Sequence, residues 1–88
     1  MIRKIVKIKN KLGLHARPAS LFVQTTSKFK SGVKVLKDEQ EVDGKSIMGL
    51  MMLAAGLGTE LQILIDGSDE NEMISAIENL IERKFDEE

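Results

Sequence analysis

Residues 60–81 read ELQILIDGSDENEMISAIENLI, and within this stretch the apolar repeat changes its period. Leu61, Ile63 and Ile65 alternate with Glu60, Gln62 and Leu64, the period-two pattern of a strand with one buried face, and Asp66-Gly67 closes it with a turn. Met73, Ile74, Ile77, Leu80 and Ile81 then recur at i, i+1, i+4, i+7 and i+8, which is one face of an amphipathic helix. Ser68 or Asp69 caps this helix, and its acid-rich first turn complements the helix dipole.

Upstream the same two periods alternate. Ile2, Val6 and Ile8 share a phase, with Lys7 and Lys9 out of it, so residues 2–9 form an opening strand and Asn10 to Leu14 a loop. Pro18 suits only the first turn of a helix, which predicts one beginning just after His15 and running to about Lys28, with Ala19, Phe22, Val23 and Thr26 buried. Val33 and Val35 mark a strand that turns at Asp38 to Gln40 and pairs with a short strand around Val42. Ser46 precedes the apolar run Ile47 to Leu53 and N-caps a second helix, which Gly56 and Gly58 end. The order β-α-β-β-α-β-α is that of an α+β sandwich with the helices on one face of a four-stranded antiparallel sheet. It also fits a ferredoxin-like binding module, so the pattern of elements does not select a function.

The 88 residues are expected to form a single domain, residues 1–88, with a core that buries roughly 60% of the unfolded chain's surface. No Cys is present and His15 is alone, so a disulfide framework, a thiolate metal site and a multi-histidine site are all excluded; no cofactor and no metal are expected. No apolar run is long enough to span a membrane, and Met1 to Asn10 lacks the continuous apolar segment of a secretory signal. The cytoplasm is the expected location. The net charge of −1 conceals an asymmetry: Met1 to Lys45 holds eleven Lys and Arg against four acids, Ser46 to Glu88 two against ten. Such halves either steer acidic partners to one face or interleave in the fold and cancel.

Two segments carry chemistry. Gly13-Leu14-His15-Ala16-Arg17-Pro18-Ala19 puts the one imidazole at the mouth of a helix, where unpaired first-turn amides and the dipole form an anion site and Arg17 adds a guanidinium suited to phosphate oxygens. An imidazole has a substantial nucleophilic free-base fraction near neutral pH, which suits phosphoryl transfer; the plainer alternative is that His15 caps the helix and Arg17 is solvated. In Gly44-Lys45-Ser46-Ile47-Met48-Gly49-Leu50, Ser46 is either a structural cap or a site of regulatory phosphorylation at a helix N-terminus. With Leu50 and Leu53 facing the sheet, Ile47, Met48, Met51 and Met52 are left partly exposed, a flexible surface for several partners, although a Met stripe at helical spacing is more often core.

These two segments, at this separation in a chain of this length and element order, resemble the HPr family, the histidine-containing phosphocarriers of the phosphoenolpyruvate-dependent phosphotransferase system. The resemblance covers essentially the whole chain. It implies the HPr open-faced β-sandwich and a carrier, not an enzyme: His15 accepts a phosphoryl group from phospho-Enzyme I through a ring nitrogen and passes it to EIIA-type domains. Arg17 and the amides from Ala16 onward then hold the phosphate. Ser46 matches the position phosphorylated by HPr kinase in organisms that possess it, Lys45, Ile47, Met48, Met51 and Met52 match the partner-docking patch, and a monomer is the family expectation. Asn10-Lys11-Leu12-Gly13-Leu14, Met51-Met52-Leu53 and the ending Phe85-Asp86-Glu87-Glu88 resemble the nitrogen-regulatory branch, whereas Lys45-Ser46-Ile47-Met48-Gly49 resembles the carbon branch. A regulatory adaptor signalling carbon or nitrogen status is the alternative within the family. An RNA-reading module is disfavoured because Phe22, Phe29 and Phe85 all lie off the predicted strands.

Overall fold

The computed structural model describes residues 1–87; Glu88, the last residue of the Phe85–Glu88 ending, lies outside them. Seven elements follow the expected order: β1 (Ile2–Lys7), α1 (Ala16–Thr26), β2 (Gly32–Lys37), β3 (Gln40–Asp43), α2 (Ile47–Met52), β4 (Glu60–Asp66) and α3 (Glu70–Glu82). The sheet order is β1-β4-β2-β3, with every neighbouring pair antiparallel. Inserting β4 between β1 and β2, with β3 on an edge, separates this fold from a ferredoxin-like sheet, in which β3 takes that place.

Alternation decides which face each strand buries. Val6 and Ile8, Val33 and Val35, and Leu61, Ile63 and Ile65 point under the helices, while Arg3, Ile5, Lys7 and Lys34 stay exposed on the open face. Phe22 of α1, Leu50 of α2, and Met73 and Ile77 of α3 close the core from above, each contributing about 1.5–3 kcal/mol by burial. The charged halves of the sequence interleave: Lys4 pairs with Glu78 at 3.3 Å and Lys9 with Glu82, so part of the asymmetry cancels across β1 and α3. Among the described residues no helix is long and apolar enough to cross a membrane.

Three boundaries and one cap differ from the sequence expectation. The first strand stops at Lys7, because Ile8 takes its backbone partners from the turn before β4, donating to the Thr59 carbonyl and accepting from Gly58 N–H. The first helix gives way at Ser27 to tighter bonds, Lys28 N–H to Thr25 and Phe29 N–H to Thr26. The second helix is ended by Ala54 in the left-handed region at φ 52°, not by Gly56 or Gly58. Finally, Asp69 occupies the N-cap position of α3 but its side chain makes no cap bond. Its carboxylate instead accepts from Ser31 Oγ, Lys30 N–H at 2.8 Å and Ser31 N–H at 2.9 Å, while Glu70 accepts from Gly67 N–H. Those donors, the Ser31 hydroxyl first, lower the Asp69 carboxyl to about 2.

Candidate functional site

Asn10 to His15 is pinned from both sides. Gly13, at φ 73°, lies so close to the strand-connecting loop that a Cβ there would stand 2.3 Å from the Ala55 carbonyl oxygen. Leu14 N–H donates to that same carbonyl at 2.9 Å, and the Leu14 side chain is buried. Asn10, fully buried, closes the loop by donating from Nδ2 to the Gly13 carbonyl at 2.8 Å. The backbone therefore reaches α1 in one defined position, with His15 as its N-cap in extended conformation.

The imidazole does not cap. It makes no bond to the first-turn amides, and its Nε2 lies 2.9 Å from Oε2 of Glu87, whose other oxygen accepts from Asn10 Nδ2 at 3.0 Å. The ring is 38% exposed and the Glu87 carboxylate 19%, so the contact sits at the protein's edge. The first amide of α1 with an intrahelical acceptor is that of Ala19, which donates to the His15 carbonyl at 3.0 Å; Pro18 has no N–H. The Ala16 and Arg17 amides are thus left as donors for an outside group, at the positive end of an eleven-residue helix. Both side chains are exposed. A cavity of about 280 Å³, lined by Leu12, Leu14, His15, Met51, Ala54, Ala55 and Gly56, opens beside the ring. A larger cavity of about 600 Å³ lies on the open sheet face among Lys34, Glu41 and Asp43 and contains no imidazole.

Ser46 is placed differently. Its Oγ accepts from Gly49 N–H at 3.0 Å, so the hydroxyl caps α2. Lys45 is half-buried and its ammonium donates to the Phe29 carbonyl at 2.9 Å. Leu50 and Leu53 enter the core, while Ile47, Met48, Met51 and Met52 are 39–71% exposed. The structure brings Met51 to the His15 cavity, and Ser46 lies at the other end of α2. Sequence reasoning missed two residues behind this surface: Glu87, which meets the ring, and Asn10, which holds the Glu87 carboxylate. A polar residue closing a strand was a weak signal for Asn10; no local pattern marks Glu87.

Fold and site together define a small α+β protein that offers one imidazole, beside an open helix N-terminus, to an anionic group. A family model described as the PTS HPr component phosphorylation site matches residues 2–83. Over 88 residues the chain is 48% identical to the phosphocarrier protein HPr of Treponema pallidum (strain Nichols), covering 100% of both. The crystal structure of HPr-C-His from Thermoanaerobacter tengcongensis is 52% identical and superposes with a TM-score of 0.95, covering 100% of this chain and 99% of that one. A crystal structure of an HPr dimer from the same organism, also 52% identical, gives 0.79 over 99% and 100%. The chain belongs to the HPr family, the phosphocarriers of the phosphotransferase system.

Proposed function

We propose that the chain carries a phosphoryl group on His15, taking it from phospho-Enzyme I and passing it to an EIIA-type domain without turnover of its own. The observation that carries this reading is the His15 ring standing clear of an open helix N-terminus whose Ala16 and Arg17 amides have no helical acceptor. Those amides and the exposed Arg17 guanidinium receive the phosphate oxygens, steadying charge on a group that must leave again. A half-exposed ring suits this task better than a buried one, because both donor and acceptor proteins must reach it in line. One domain over residues 1–88, acting as a monomer in the cytoplasm, completes the proposal.

Ser46 is the proposed regulatory site. A phosphate on its oxygen adds nearly two negative charges at the start of α2, beside Met48 and Met51, and weakens Enzyme I docking by repulsion and desolvation. HPr kinase is the proposed writer of that mark, and Lys45, Ile47, Met48, Met51 and Met52 the docking residues. The exposed Met surface also favours a second reading, a regulatory adaptor, which differs from the first in whether an EIIA domain drains the phosphate.

The deciding experiment is intact mass after incubation with phosphoenolpyruvate and Enzyme I, for the chain and for His15→Ala. One acid-labile phosphoryl group, absent from the variant, is expected; no gain with Enzyme I from either the carbon or the nitrogen branch would discard the carrier reading.

A further inference from the structure

We propose that Met48, Met51 and Met52 form a reversible oxidation site: a peroxide converts their thioethers to sulfoxides, and the modified face docks Enzyme I with reduced affinity. The proposal rests on the reading in which this face docks Enzyme I beside His15.

Composition confines the chemistry. The chain has no Cys, Trp or Tyr, so the thioethers of its five methionines, at positions 1, 48, 51, 52 and 73, are the side chains a peroxide attacks first. Their surroundings divide them. Met73 is fully buried in the core. Met48 and Met52 are 71% and 66% exposed and Met51 41%, so three of the five meet solvent within one six-residue helix. Met48 stands at i, i+3 from Met51 and at i, i+4 from Met52, the spacings of helical neighbours, so the three side chains share one face. Met51 also lines the cavity of about 280 Å³ beside the His15 ring, which joins this face to the site of phosphoryl acceptance. Met1 is as exposed, at 73%, but lines the cavity on the open sheet face instead.

A thioether suits a docking surface because it is apolar, unbranched and polarizable. Oxidation removes the first of these properties. A sulfur lone pair attacks one oxygen of hydrogen peroxide, the S–O bond forms as the O–O bond breaks, and the departing hydroxide takes the proton from the transferred oxygen and leaves as water. Sulfur is oxidised by two electrons and the peroxide reduced by two. The sulfoxide oxygen is a hydrogen-bond acceptor, and a partner that covers it without supplying a donor leaves its lost hydration uncompensated. No charge changes and α2 keeps its cap from Ser46, so the fold stands while the affinity falls. Return takes a thiol-dependent sulfoxide reductase, which releases the oxygen as water while two thiols become a disulfide.

The test treats the full chain with hydrogen peroxide, removes the peroxide, and follows the mass of each methionine peptide and the kinetics of phosphoryl acceptance from unoxidised phospho-Enzyme I. Met1, Met48, Met51 and Met52 should each gain one oxygen while Met73 stays intact. The half-saturating Enzyme I concentration should rise about tenfold, with the maximal rate and the melting midpoint unchanged, and sulfoxide reductases acting on both epimers should reverse the rise. With Met48→Leu, Met51→Leu and Met52→Leu combined, Met1 still reacts, and treatment should no longer move that variant's own half-saturating concentration. Oxidation of Met73 in step with the others would overturn the site, and an unmoved half-saturating concentration after selective oxidation would overturn its consequence. Met51→Gln, polar but not oxidisable, separates the two readings. If it raises the half-saturating concentration where oxidation does not, the oxidation proposal alone falls; if neither raises it, the docking reading falls as well.

Discussion

The helices α1 and α2 begin in opposite ways, although only α1 begins at His15 and α2 reaches the His15 cavity with its far end, at Met51. At α2 the N-cap side chain serves its own helix: Ser46 Oγ accepts from Gly49 N–H and one orphan donor is satisfied. At α1 the N-cap side chain turns away to Glu87, Pro18 deletes one donor, and the Ala16 and Arg17 amides are left open. A capped start is stable and quiet, whereas an uncapped one keeps its dipole and its amides for a ligand. The open start is affordable because the loop before it is held by backbone contacts to Ala55 and by Asn10, not by the cap.

That contrast can be broken most severely at Gly13. Gly13→Ala puts a Cβ against the Ala55 carbonyl at a positive φ, and chemical denaturation should show a loss of about 3 kcal/mol. A loss below 1 kcal/mol would mean that the loop yields easily and that the open start is held by something else. A smaller and sharper effect separates the caps themselves. Ser46→Ala should lose about 1 kcal/mol by the same measurement, while His15→Ala should stay within about 0.5 kcal/mol, because only the first removes a cap bond. Equal losses would erase the distinction. At the other end of α2, Ala54→Gly relieves a left-handed alanine and should raise stability by about 0.5–1 kcal/mol.

The third helix start adds a case visible only in acid. Asp69 caps α3 by position but spends its carboxylate on Ser31 and Lys30, and its value is lowered from 3.8 to about 2. A carboxyl lowered by folding stabilises the native state fully above its unfolded value, and that contribution is lost as pH falls through the folded one. Urea stability should therefore decline between pH 4 and pH 2 in a segment that Asp69→Asn flattens. An unchanged slope in the variant would show that the link between α3 and the start of β2 does not depend on charge.

Much of this was legible from the chain alone. Periodicity located all four strands and three helices, and the resemblance in Gly13–Ala19 and Gly44–Leu50 pointed to His15 and Ser46. Boundaries were less legible where tertiary bonds competed with local ones, as at Ile8, which leaves β1 for the Gly58–Thr59 turn. The stop of α2 was misread for a related reason. Glycines nearby promised a helix stop, yet the stop is a left-handed alanine whose neighbours Leu53 and Ala55 are both buried.

The sequence by itself determined the elements, their order, the face each one buries and the residue types placed at the two helix starts, because those follow from periods of 2 and 3.6 and from side-chain chemistry within a few positions. Only the tertiary structure decided that β4 lies between β1 and β2, that the His15 ring forgoes its own helix, and that Glu87 crosses 72 positions of chain to meet it. Those outcomes depend on close approach between segments distant in sequence, and on a buried Phe85 holding a left-handed turn. Neither leaves a local period to read.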